Sequence, residues 1–301
     1  MKRNALYFHL ATLPEMGPVA FGKLTSRYQT LEEILAAPLM ELTTDCGFDA
    51  QLAWAIHSSE ENLHETLELL EILGSIGIET LYPMDEDLPK RLQANNSDWR
   101  YLTVFGNVSL LNSDRAIALV GRRQATEEGL SFAHALAAEL ARRGVVTLSG
   151  MAKGIDRAAH LGSLSDGGGT VGLLPMGMLQ FLQENRQFPR AAEGEERARL
   201  LLVSGAAPNQ EWSTAEAMRR NRWIANWSDA VVVVEAGDKG GTWKTARDAK
   251  KAGRPLWVAE GFGSDRSGVG NKALRKELDG AALNVNMPIE ECANTVIESC
   301  G

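Results

Sequence analysis

An α/β fold, a doubly wound parallel sheet preceded by a small all-helical domain, is what this sequence predicts. Three observations carry that prediction. Residues 1–75 place apolar residues at helical spacing. Ala116 to Val120 is an unbroken apolar run, as expected of a strand buried on both faces. From there to Ala259, strand-like runs alternate with helical stretches.

In order, helices are expected over Ala5–Leu13, Ala20–Tyr28, Thr30–Ala36, Asp49–Ile56 and Asn62–Leu73. Gly17-Pro18 and Ala37-Pro38 punctuate them, and Thr30 followed by Glu33 is a capping-box signature. Short helices with tight turns suggest a bundle of helix–hairpin–helix units. Short strands are expected at Ile78–Leu81 and Tyr101–Phe105, with a turn at Gly106-Asn107. Then follow strand Ala116–Val120, helix Glu127–Arg143, strand Val145–Leu148, helix Ile155–Leu164, and strands Thr170–Leu174 and Leu200–Val203. Helix Ala215–Asn226, strand Ala230–Glu235, helix Thr242–Ala252 and strand Leu256–Ala259 complete the pattern. The organisation read from this is a helical domain over 1–75 and a connecting segment with short strands over 76–111. The sheet domain spans 112–290, and 291–301 is a C-terminal tail. Right-handed crossovers bring the loops after the strands to one edge, where ligands bind in such sheets.

The 301 residues are 44% hydrophobic and 23% charged, which excludes a disordered or collagenous chain. The net charge of −8 at first speaks against a nucleic-acid partner. Split by position, residues 1–111 hold 7 Lys and Arg against 16 Asp and Glu. Residues 112–301 hold 24 against 23, so the acidity is confined to the first third. The three cysteines, Cys46, Cys292 and Cys300, show no CxxC spacing and the histidines are scattered. No metal site is expected, and reduced thiols fit a cytoplasmic protein. No leader is visible and no apolar run approaches the length of a membrane span.

Four strand-end loops carry chemistry. Gly121-Arg122-Arg123 leads into a helix, where free N–H groups and two forked guanidiniums suit phosphate oxygens. Ser149-Gly150 with Lys153-Gly154 joins the next strand to its helix, and its glycines allow close approach to an anion. It is neither GxGxxG nor a P-loop. On the same helix, His160 reads as a buried, hydrogen-bonded histidine rather than a base. Arg219-Arg220-Asn221-Arg222 precedes Trp223 and Trp227, with Trp212 upstream. Basic and aromatic interleaving suits single-stranded nucleic acid, although this tryptophan pair reads first as a core stripe. Gly240-Gly241-Thr242 opens the last helix and makes an anion cradle.

These motifs, VGRRQAT, SGMAKGID with AAH, RNRWIANWSDAVVVVEA and GGTWKTARDAKKAGRP, resemble in order and spacing the DNA-processing protein DprA (Smf) family. The match covers about residues 80–275. The helical region, with Tyr82-Pro83 and Gly106-Asn107, is similar to the family's sterile-alpha-motif-like domain. The resemblance implies a Rossmann-like sheet, single-stranded DNA binding, a homodimer and loading of a RecA-type recombinase, with no catalytic activity and no cofactor. By motif it implies DNA contact at Arg122, Arg123, Lys153 and Arg219 to Arg222, with Gly240 to Thr242 shaping the pocket.

Gly-Arg-Arg stands where the family has Gly-Ser-Arg, and Ser204-Gly205 where it has Ser-Glu. Met178-Leu-Gln-Phe181 and Phe188-Pro189 replace a Tyr-Pro stretch, and no winged helix is expected at the C-terminus. These departures fit a divergent paralogue, of the kind that partners a phosphoribosyltransferase toxin as an antitoxin in phage defence. The alternatives are a sensor of a nucleotide-derived ligand and a nucleoside-monophosphate phosphoribohydrolase-like enzyme using the same pocket. For the latter the expected carboxylate is missing from Lys239–Thr245, and Glu235 lies before the loop.

Overall fold

The computed structural model describes residues 2–83, 85–93, 99–185, 197–263 and 265–300, so Phe188-Pro189 lies outside the described residues. The chain divides into two compact units, Met1–Val104 and Phe105–Gly301.

The first unit is a helical bundle: Lys2–Thr12, Pro18–Arg27, Leu31–Ala36, Leu39–Thr44, Ala50–His57, His64–Ser75 and Lys90–Gln93. Local sequence sets the helix starts. Pro18 opens its helix where no N–H is needed. Thr30 accepts from the Glu33 N–H at 3.2 Å, and the Glu33 carboxylate in turn accepts from the Gln29 N–H at 2.7 Å. Asp49 caps the fifth helix by accepting from Leu52 N at 2.7 Å. Leu39–Thr44 is too short to show periodicity and is absent from the sequence reading.

Phe8, Leu10, Leu24, Ile34, Leu42 and Ile56 form the core of this unit together with Tyr82 and Tyr101. The Tyr82 hydroxyl donates to the Asn4 carbonyl at 2.9 Å, and the Tyr101 ring lies 4.7 Å from that of Phe8. Tyr82 and Tyr101, within the connecting segment of the sequence reading, are thus packed into the helical unit. Its strand β1 is Ile78–Leu81, and β2, Leu102–Gly106, begins there.

Seven parallel strands form the sheet of the second unit: β3 Ala116–Gly121, β4 Val146–Ser149, β5 Thr170–Leu173, β6 Leu200–Ser204, β7 Ala230–Glu235, β8 Leu256–Glu260 and β9 Ala281–Asn284. Their order is β6-β5-β4-β3-β7-β8-β9. The chain builds outward from β3 in one direction, then crosses to β7 and builds in the other. The β3–β7 boundary is therefore the topological switch point, where the outward-diverging loops leave a crevice at the carboxyl ends of the strands.

On one face, Ile117, Leu119, Val232 and Val234 pack under the helices Glu127–Arg142 and Ile155–Ser165. The Ile289–Glu298 helix joins the same core through Cys292, Ala293 and Val296. The stretch 291–301, read from sequence as a tail, is thus largely a core helix. Apolar residues at 292, 293 and 296 are spaced to form one helical stripe. The helices Thr214–Trp227 and Gly241–Lys251 pack on each other, and Gly241–Lys251 also packs on Asp265–Leu278. Asn271 of that last helix ties β7 to β8, accepting from Ala236 N at 2.7 Å and donating to the Val234 and Ala259 carbonyls at 2.8 Å. Among the described residues no helix is long and apolar enough to cross a membrane.

Candidate functional site

A cleft of about 730 Å³ opens at the switch point. It is lined by the loop after β3 (Gly121 to Gln124), by Ala152 and Asp156 after β4, by one side of the Thr214–Trp227 helix, and by the loop after β7 (Gly237 to Thr242).

The β3 loop is held by one carboxylate. Glu235, at the end of β7, is fully buried. Its Oε2 accepts from the Thr126 N–H at 2.9 Å and the Thr126 hydroxyl at 3.1 Å. Thr126 Oγ1 in turn accepts from Gly129 N at 3.1 Å and so caps the Glu127–Arg142 helix. The Arg122 N–H donates to the Glu235 carbonyl at 2.8 Å, and the Arg122 guanidinium lies 3.5 Å from Oε1. The negative charge sits at a helix N-terminus, where the helix dipole favours it. Anchored from beneath, the loop presents Arg122 and the exposed Arg123 to the cleft.

Arg220 is a buried cation, 7% exposed, on the cleft wall. Its guanidinium lies against Gly150, where a Cβ would come within 1.5 Å of Nη1, so only glycine fits. Asp156 is 5% exposed. Burial pushes the Asp156 carboxyl up and the Arg220 guanidinium down, and the attraction between the two opposes both shifts. Among the described residues, Arg220 Nε has no hydrogen-bond acceptor. A buried donor left unpaired costs roughly 1–3 kcal/mol.

The remaining wall is a helix N-terminus. Gly240, at φ +118°, precedes the Gly241–Lys251 helix, and Gly240, Gly241 and Thr242 line the cleft beside the exposed Lys239. The buried Asn221 reaches the Gly241 carbonyl through Nδ2 at 3.4 Å. Trp212 (47% exposed), Ala217, Met218 and Ile224 add apolar surface to the lining.

The structure therefore brings Gly121, Arg122, Arg123, Arg220, Asn221, Gly240, Gly241 and Thr242 together and leaves six other candidates outside the lining. Ser149 donates to the Leu119 carbonyl at 2.6 Å and ties β4 to β3. Gly150 makes room for Arg220. Gly154, at φ +84°, lets the Arg122 and Arg123 carbonyls approach. Arg219 bonds the Gly205 carbonyl at 2.6 Å, pairs with Glu216 and lies over the Trp223 ring. Lys153 and Arg222 are exposed beyond the cleft. Trp223 and Trp227 stack at 5.3 Å and are core residues.

Of the lining residues outside that candidate set, Asp156, Trp212 and Lys239 bear charge or an aromatic ring. Trp212 carries a usable signal, a large aromatic directly before the Ser213 N-cap of the arginine-bearing helix.

His160 is buried beneath the cleft. The Thr170 hydroxyl donates to the Thr147 carbonyl at 2.9 Å, so at its 2.7 Å contact with His160 Nδ1 it accepts, which places the ring proton on Nδ1. Burial, helped by the Arg220 charge, pushes the His160 pKa down to about 4. Among the described residues no group of three or more His, Cys, Asp or Glu is placed to hold a metal. The cleft thus combines cationic and amide donors with an aromatic surface. That chemistry suits an anion attached to a flat apolar group.

Known proteins resemble this chain over most of its length. The family model described as DNA recombination-mediator protein A matches residues 79–293. The chain belongs to that family. It is 29% identical to the DNA processing protein DprA of Bacillus subtilis over 229 residues, covering 75% of each chain. It is also 29% identical to the protein Smf of Synechocystis over 248 residues, covering 80% of this chain and 61% of that relative. Among solved structures it resembles DNA processing protein A of Helicobacter pylori, a structure concerned with that protein's single-stranded DNA binding mode. That match has 25% identity and a TM-score of 0.62, and covers 74% of this chain and 97% of that one. The Streptococcus pneumoniae DprA structure shares the fold at a TM-score of 0.69 and 20% identity, covering 94% of this chain and 98% of that one. The α/β fold and the family expected from the motifs are both found.

Two outcomes test this account of the site. Glu235→Ala removes the acceptor of the Thr126 N–H and leaves a cavity, so stability drops by about 2–4 kcal/mol. A shift in the urea midpoint worth under about 0.5 kcal/mol would contradict the anchoring role. For His160 the folded pKa lies below the unfolded one, so the unfolded chain binds more protons as pH falls below about 6.5. Stability contributed by this group is complete above that pH and is lost progressively toward pH 4. His160→Gln flattens the slope of stability between about pH 6.5 and 5, and an unchanged slope in urea titrations would show that another group sets it.

Proposed function

We propose that this chain is a non-catalytic single-stranded DNA-binding protein of DNA recombination, which grips the strand in the switch-point cleft and delivers it to a RecA-type recombinase. The observation that carries the reading is Arg220, a buried guanidinium lining the cleft with Nε lacking an acceptor among the described residues, flanked by Arg122, Arg123 and Lys239. Phosphate oxygens suit this donor set, and a helix N-terminus adds amides aimed at the same space. Trp212 and Met218, which also line the cleft, supply the surface on which a base stacks. Double-stranded DNA hides its base faces, so an aromatic wall beside a phosphate site favours the single strand.

Family membership and the single-stranded DNA binding of the Helicobacter pylori relative support this reading. A phosphoribohydrolase needs a carboxylate at the substrate. Glu235 is bound to Thr126 and does not line the cleft, and Asp156, which does, is 5% exposed and engaged by the neighbouring Arg220 charge.

Binding of an oligothymidylate is expected to weaken as salt rises, with a slope of about −0.7 per phosphate contact. Lys239→Ala is expected to shrink that slope by about one contact. Trp212→Ala is expected to cost about 1–3 kcal/mol at every salt concentration. Affinity independent of salt, or a mononucleotide binding as tightly as the oligomer, would replace this reading with that of a nucleotide sensor.

A further inference from the structure

A second groove, of about 590 Å³, runs over the outer side of the helices Glu127–Arg142 and Ile155–Ser165. It shares Arg123 and Gln124 with the cleft, so the two are continuous through one arginine. We propose that this groove is a second nucleic-acid subsite, along which the single strand continues after leaving the cleft. The inference rests on the reading of the cleft as the primary site.

Its construction is specific. At Gly162 a Cβ would come within 2.1 Å of the His134 carbonyl, so the two helices meet backbone to backbone there. At Gly154 a Cβ would come within 2.5 Å of the Arg122 and Arg123 carbonyls, so the loop bearing Arg123 is fixed to the start of the helix bearing Arg157. The trough between them has an apolar floor of Leu130, Ala158 and Leu161, and Leu161 is 51% exposed. Arg123, Arg157 and His134 stand along it, all exposed. Neither arginine makes an ion pair among the described residues.

The charge of the lining selects the occupant. Its ionisable groups are Arg123, Arg157 and His134, and no carboxylate lines it. Glu127 and Glu128 occupy the first turn of the same helix but lie outside the groove. Guanidiniums beside an apolar floor match the alternation of phosphate and base along a single strand. The physical consequence is that longer strands gain affinity by occupying the groove, whereas a strand confined to the cleft does not.

The test measures fluorescence anisotropy of the full chain with oligothymidylates of about 4 and about 16 nucleotides, which bracket common single-strand site sizes. Arg157→Glu is expected to weaken the longer strand about tenfold at low salt and to reduce its salt slope by about 0.7, leaving the shorter strand unaffected. Arg157→Ala is expected to give a smaller loss of the same kind, which separates lost attraction from introduced repulsion. Equal effects on both lengths, or none on the longer, would overturn the subsite. So would a change in the mass of the DNA-free protein by light scattering in Arg157→Glu, which would make the groove a self-association face. Failure of the wild-type protein to bind either length would instead overturn the reading of the cleft.

Discussion

The buried Glu235 carboxylate is the interaction on which the site depends. It ends a central strand, is closed to solvent, and would be costly to bury without donors around it. The donors it finds are the Thr126 amide and hydroxyl and the Arg122 guanidinium, all on the loop after the neighbouring strand β3. Satisfying one charge therefore fixes the path of the loop, caps the following helix through Thr126 and holds Arg122 over the carboxylate while Arg123 stays exposed. The β3–β7 pairing brings this about. Its register shifts between Val120 and Gly121, which sets Gly121 opposite Glu235. Gly129 belongs to the same arrangement, since a Cβ there would come within 2.5 Å of Oε2.

Around that anchor the fold concentrates positive charge where the sheet reverses direction. The chain carries a net charge of −8, yet the cleft wall presents Arg122, Arg123, Arg220 and Lys239 with Asp156 as the acidic partner. Burying Arg220 is unfavourable by itself, and the field of Asp156 offsets part of that cost. Arg220 nonetheless lines the cleft. His160 beneath it is kept neutral by the same burial and by the same arginine, so it adds no competing charge near neutral pH.

Much of this was legible in the sequence, for identifiable reasons. Strands buried on both faces show as unbroken apolar runs, and Ala116 to Val120 and Ala230 to Glu235 were placed to within one residue. The Thr30 cap is local chemistry and sits where the pattern puts it. The strand β9 and the Leu39–Thr44 helix escaped, because each buries a single residue, Leu283 and Leu42, and so shows no apolar pattern. Residues 76–104 read as a connector because Tyr82 and Tyr101 show no pattern of their own, and only packing against Tyr7 and Phe8 makes them core.

The arginine cluster shows where sequence reasoning stops. Helical spacing alone puts Arg219 and Arg222 on one face and Arg220 on another. It does not say which face meets the cleft. The tertiary structure commits Arg219 to Glu216, the Gly205 carbonyl and the Trp223 ring, and turns Arg220 toward Gly150 and Asp156. It also brings Trp212 and Lys239, from two distant segments, into one cleft. By itself the sequence determined the alternation of strands and helices, the family and the set of loops that carry donors, because those follow from local periodicity and short motifs. Which donors are spent inside the protein and which face the cleft was decided only by the packing of chain segments far apart in sequence, since burial and hydrogen-bond partners are properties of neighbours in space.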